Sequence, residues 1–102
     1  MFVNVHSGAI KIDSKGAYVA RAWIDFRDAI GTFTYSSGNI YAGKSTTIQL
    51  PEVVEWVQVR VENQRLVGKW NEVFRQEMNG PRNLCYTVGG TTFHPNFSGQ
   101  SC

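Results

Sequence analysis

Trp56-Val57-Gln58-Val59-Arg60-Val61, continued without a break by Glu62-Asn63-Gln64-Arg65-Leu66-Val67-Gly68-Lys69-Trp70-Asn71-Glu72-Val73-Phe74-Arg75-Gln76-Glu77-Met78, is the stretch whose reading decides the fold. In its first six residues valines alternate with larger, mostly polar side chains, and a period of two puts the valines on one face of a half-buried strand. From Glu62 onward the period changes. Trp70, Val73, Phe74 and Met78 fall at i, i+3, i+4 and i+8, the spacing of one helix face. The expectation is therefore a strand, a polar loop over Gln64 to Lys69, and one short amphipathic helix, with Gly80 as its C-cap and Pro81 as its stop. Loops carried on a sheet collect recognition residues, so this junction is the first place to look for a site.

Working outward, the strand code recurs on both sides. Phe2 to Ile12 alternates with a bend at Ser7-Gly8. Ala17 to Phe26 sets Tyr18, Ala20, Ala22, Ile24 and Phe26 against Val19, Arg21, Trp23 and Asp25, and with the preceding run it reads as a hairpin around Gly16. Thr32 to Tyr35, Ile40 to Lys44 and Ser45 to Leu50 are shorter runs, with Ser36-Ser37-Gly38-Asn39 as a turn and Pro51 ending the last of them. Downstream, Leu84 to Val88 is a strong strand, Gly89-Gly90 a turn, Thr91 to His94 a short strand and Pro95 to Cys102 a polar tail. The sum is an all-β fold: an antiparallel β-sandwich of about seven strands with one short inserted helix, in a single domain over residues 1–102.

Bulk properties exclude several classes. A hydrophobic share of 42% with 18% charged residues is ordinary for a globular chain, and no apolar run approaches the ~20 residues of a membrane-spanning helix. A formal charge of +2, with no block of like charges, lacks the basic stripe of a nucleic-acid binder. The N-terminus has no basic region, apolar core and cleavage site of a signal peptide; the chain stays inside, leaves by a non-classical route, or is already processed. Cys85 and Cys102 form no CxxC or Cys/His cluster, so no metal site is expected. A bridge between them would need their Cα atoms within reach, and the reading is two free thiols with Cys85 in or near the core. His6 and His94 stand far apart, no helical His/Glu pair exists and no serine carries a nucleophile motif. No enzyme, catalytic residue or cofactor is expected.

Four segments carry a family resemblance: Ser7-Gly8-Ala9-Ile10-Lys11-Ile12, Gly16-Ala17-Tyr18-Val19-Ala20, Ser45-Thr46-Thr47-Ile48-Gln49-Leu50 and Gly90-Thr91-Thr92-Phe93-His94-Pro95. In order and spacing they resemble the C-terminal domain of the cholesterol-dependent (thiol-activated) cytolysins, with Gly-Ala-Tyr-Val-Ala the most specific piece. The resemblance spans nearly the whole chain, Arg27 to Lys44 being shorter than in the family. It implies a β-sandwich that docks a toxin onto membrane cholesterol, in some members onto cell-surface glycans, while other domains form the pore. The family's Trp-rich undecapeptide falls on Glu62 to Glu72 when a one-residue slip upstream is allowed. Glu62, Leu66 and Trp70 match. Asn63 stands for the cysteine, Gly68 and Asn71 for two tryptophans, and Glu72 for the arginine that helps couple binding to pore assembly in the family. The sterol-recognising Thr-Leu pair falls on Thr92-Phe93.

The expected site is therefore one end of the sandwich, built from Gln64, Arg65, Leu66, Lys69 and Trp70 with Thr91, Thr92, Phe93 and His94. Trp70 reads either as an interfacial anchor or as the residue pinning the helix to the sandwich. Arg65 and Lys69 read as contacts for anionic headgroups or as solvated charge. With the sterol pair altered and two tryptophans missing, the first expectation is a stand-alone cell-surface recognition module without pore-forming parts. It would be lectin-like, taking a glycan or membrane-surface headgroup. Its alternatives are a small membrane-lipid or sterol-binding toxin or defence protein, and a protein-interaction or self-assembly module forming a homodimer along a strand edge.

Overall fold

A computed structural model describes residues 8–50, 54–66, 68–79 and 83–102. The valine row of the deciding stretch lies at its centre: Val57, Val59 and Val61 are fully buried, while Gln58, Arg60 and Glu62 between them face outward. Eight strands carry the fold: β1 (Ala9–Ser14), β2 (Ala20–Arg27), β3 (Thr32–Ile40), β4 (Ser45–Gln49), β5 (Trp56–Leu66), β6 (Lys69–Asn79), β7 (Asn83–Gly90) and β8 (Pro95–Ser101). They form two four-stranded sheets, in the orders β4-β1-β7-β8 and β3-β2-β5-β6. Ile10, Ile12, Tyr86 and Val88 of the first sheet share one core with Ala20, Ala22, Ile24 and the β5 valines of the second, so the architecture is a β-sandwich.

Several sequence expectations are corrected. Glu62 to Met78 contains no helix; β5 runs on through Leu66, and β6 returns beside it, antiparallel. The helical spacing has a physical origin in a bulge. Val61 pairs Phe74 and Glu62 pairs Glu72, which leaves Val73 as the extra residue on β6. A bulge switches the phase of alternation, so Val73 and Phe74 both pack on the core while Trp70 stays on the outer face. The expected caps Gly80 and Pro81 lie outside the described residues, as do Phe2 to Ser7, Pro51 and Val67.

β1 and β2 do not form a hairpin around Gly16, because they belong to different sheets. One pair, β1 with β7, is parallel, so the sandwich is mixed rather than purely antiparallel. Ser36 to Asn39 continues β3 instead of turning, and the turn falls at Tyr41 to Lys44, closed by Lys44 N donating to Tyr41 O at 2.9 Å. Pro95 to Ser101 is a strand, not a tail. Its polarity hides it: Gly99 faces the Tyr86 ring so closely that a Cβ there would lie 2.6 Å from it. Finally, Cys85 and Cys102 are bridged, with Cα atoms 5.2 Å apart, and neither is free. Cys85 faces Gln100 across the β7–β8 ladder, which brings the last residue within reach.

Two features position the site. The β5–β6 and β7–β8 hairpins project from the same end of the sandwich, and the disulfide ties β7 to the chain's last residue towards the other end. β3, β4, β6 and β8 are the edge strands of the two sheets, and β3 carries Phe33 and Tyr35 exposed.

Candidate functional site

Each hairpin is closed by a tight turn. Leu66 pairs Lys69, and Gly68 between them holds a φ of 78°, a left-handed conformation that side chains rarely adopt. In the other hairpin Thr91 N donates to His94 O and His94 N to Thr91 O, both at 3.2 Å, which puts Thr92 and Phe93 at the tip. Thr91 to His94 is thus a turn rather than the expected strand. Gly90, with a φ of 83°, is required there: a Cβ would collide with the His94 carbonyl oxygen.

Asn63 joins the two hairpins. It is fully buried on the inward row of β5, where the resemblance places the family's cysteine, and its Nδ2 donates to the Thr92 carbonyl at 3.0 Å. Its Oδ1 has no partner among the described residues. Replacing Asn63 with alanine removes this tie. We expect the Thr91–His94 turn to exchange its amide hydrogens faster, with a stability loss of about 1 kcal/mol, since a tip carbonyl can be hydrated instead. Unchanged protection in the turn would show that the turn holds itself.

Between the hairpins lies a recess of about 580 Å³. Trp70 and Phe93 supply its rings, Leu66 and Gly68 its apolar rim, and Arg65, Lys69 and Asn71 its polar groups. Leu66 is 63% exposed and Phe93 65%, which sets both at the protruding end of the molecule. Arg65 is the extra residue of a second irregularity in the β5–β6 ladder, between the pairs Gln64–Trp70 and Leu66–Lys69. Bulges re-aim side chains, and here the Arg65 guanidinium lies 5.1 Å from the Phe93 ring centre, over the neighbouring hairpin.

Trp70 is not a core residue. It lies half-buried on the outer face of the sheet, and the Arg21 guanidinium stacks 3.9 Å from its ring centre. Glu62 holds Arg21 there: Glu62 Oε1 accepts from Arg21 Nε at 2.8 Å and from Trp23 Nε1 at 2.8 Å. Burial alone would push the Glu62 carboxyl up. The two hydrogen bonds and the charges of Arg21 and Arg60 outweigh it, and the carboxyl sits below its ordinary value, ionised at neutral pH. The indole of Trp70 is therefore backed by a fixed cation on one side and open to the recess on another.

Of the expected site residues, the fold gathers Arg65, Leu66, Lys69, Trp70 and Phe93 around the recess. Gln64 stands opposite Trp70 in the ladder, and Thr91, Thr92 and His94 build the second turn without lining the recess. Sequence reasoning missed Gly68 and Asn71 as lining residues and Arg21 as the support of Trp70. Alternation had placed Arg21 and Trp23 outward on one strand, but a single sequence does not say that β5 and β6 lie next to it. Among the described residues no three His, Cys, Asp or Glu side chains group to hold a metal ion.

The sequence profile of the thiol-activated cytolysin beta sandwich domain matches residues 9–96. The chain belongs to that family. Its fold is that of solved cytolysins. A non-hemolytic pneumolysin from Streptococcus pneumoniae strain ST306 superposes with a TM-score of 0.78 at 19% identity, covering 96% of this chain and 24% of that one. A pneumolysin described as a sugar-binding protein gives 0.76 at 20% identity, covering 94% and 23%. The membrane-binding domain of pneumolysin, solved alone, gives 0.74 at 21% identity, covering 94% and 97%. This cytolysin-type domain thus spans about a quarter of the length of the whole toxins it matches and nearly all of their isolated membrane-binding domain. No curated protein sequence matches it.

Proposed function

We propose that this domain is a non-enzymatic recognition module that binds a glycan in the recess between its two hairpins. The observation that carries this reading is the recess itself, in which the Trp70 and Phe93 rings stand beside the Arg65, Lys69 and Asn71 donors. A sugar ring offers an apolar face of C–H groups and an edge of hydroxyls, and this lining answers both: the rings stack while the donors and the Asn71 amide oxygen hydrogen-bond. The pneumolysin described as a sugar-binding protein supports it by shared fold. A membrane-lipid target is the second reading, favoured by the exposure of Leu66 and Phe93 at the protruding end and by the likeness to pneumolysin's membrane-binding domain.

A glycan array with a liposome flotation arm, with and without cholesterol, separates the two. Trp70→Ala is expected to weaken glycan binding by roughly tenfold or more, as truncating a buried aromatic anchor does. It should cost about 1 kcal/mol of stability or less, because Trp70 contacts Arg21 on the outer face and not the core. A blank array from a folded protein that floats with liposomes would replace the glycan reading by the lipid one.

A further inference from the structure

We propose that the glycan is anionic, and that Arg65 and Lys69 bind its carboxylate or sulfate group. This rests on the recess being a glycan site and names the class of sugar it selects. Three cations surround the recess or back it, and their partners differ. Arg21, behind Trp70, is neutralised by Glu62 at 2.8 Å. Arg65 and Lys69 line the recess, and among the described residues neither forms an ion pair. Among the described residues no carboxylate lines the recess. The three carboxylates on the outer face of β5 and β6 are engaged elsewhere, Glu62 with Arg21 and Trp23, Glu72 with Arg75 at 2.8 Å, and Glu77 with the Trp56 indole at 2.9 Å. The whole-chain charge of only +2 therefore includes two uncompensated charges at one concave place.

Geometry favours an oxyanion over a general electrostatic patch. The ladder irregularity turns Arg65 towards Phe93, and stacking near that ring confines the guanidinium plane, which leaves its fork of N–H groups to take two oxygens of a carboxylate or sulfate. Lys69, facing Leu66 at the closing pair of the same hairpin, supplies a second, more flexible donor. Trp70 then stacks on the sugar ring that carries the acid.

The test is an array of sialylated, uronic-acid and sulfated oligosaccharides beside their neutral parents, read at two salt concentrations, with phosphatidylserine vesicles as a separate arm. The acidic member of a pair is expected to bind about tenfold or more tighter than its neutral parent, with the difference shrinking as salt rises. Arg65→Gln and Lys69→Gln should each pull that ratio towards one, and Arg65→Lys should restore part of it. Lys11→Gln removes an equal charge from the exposed face of the other sheet and should leave the ratio alone. Melting curves select the folded variants, and Arg65→Lys together with Lys69→Gln decides the matter if Arg65→Gln does not fold. Equal binding of acidic and neutral partners overturns the inference while keeping the glycan site. A blank array with binding to phosphatidylserine vesicles overturns both, as does a blank in every arm.

Discussion

Phe74→Ala is expected to remove about 3–5 kcal/mol of folding stability, a large part of what a domain of this size possesses. Phe74 is 5% exposed and pairs with Val61 in the β5–β6 ladder. Its ring centre lies 4.8 Å from that of Tyr86 on β7 and 4.2 Å from that of Phe97 on β8. One side chain of the second sheet therefore packs on two strands of the first, close to where Tyr86 Oη donates to Gln76 Oε1 at 2.8 Å. Truncation leaves a cavity between the sheets and removes both aromatic pairs, each worth roughly 0.5–1.5 kcal/mol beyond area burial. Phe74→Leu, which fills most of the volume, should recover about half of the loss. Urea denaturation of the two variants measures this, and a cost below about 1.5 kcal/mol for the alanine would mean that the sheets do not depend on this contact.

Loss of the Cys85–Cys102 bridge is the second large effect. The bridge spans a sequence separation of 17 and joins β7 to the residue after β8. Closing a loop of that length restricts the unfolded chain by about 3 kcal/mol. β8 is the strand with most to lose, since it has β7 alone as a neighbour and most of its residues are exposed. The double variant Cys85→Ser with Cys102→Ser is expected to melt roughly 10–20 °C lower, with β8 amides losing protection before those of β5. A shift under about 3 °C would show that the β7–β8 ladder and the Phe97 stack suffice to hold the strand.

Much of the sandwich was legible in the chain because buried apolar residues alternate in β1 (Ile10, Ile12), β2 (Ala20, Ala22, Ile24), β5 (Val57, Val59, Val61) and β7 (Tyr86, Val88). What stayed illegible has two causes. β6 carries a bulge at Val73, and a phase switch in a period of two imitates a period near 3.6 when Trp70 happens to stand three residues before it. β8 buries almost nothing, so Asn96-Phe97-Ser98-Gly99-Gln100 offers no apolar row to detect. The candidate site shows the same division. Both turns were marked by glycines and by the cytolysin resemblance, which placed them at one end. The stack of Arg21 on Trp70 depends on strands 49 residues apart in sequence, Arg21 on β2 against Trp70 on β6, and local pattern carries no trace of such a neighbour.

The position of the sulfur atoms has a consequence for how this domain responds to its chemical surroundings. Its family is named for activation by thiols, yet both cysteines of this chain are joined in the bridge, and the recess between the hairpins contains none. At the place that the resemblance gives to the family's cysteine, Asn63 offers an amide that neither oxidants nor alkylating reagents modify. The recess thus holds no thiol: reductant would act on the molecule by loosening the far end of the sandwich, not by changing the side chains that line the recess.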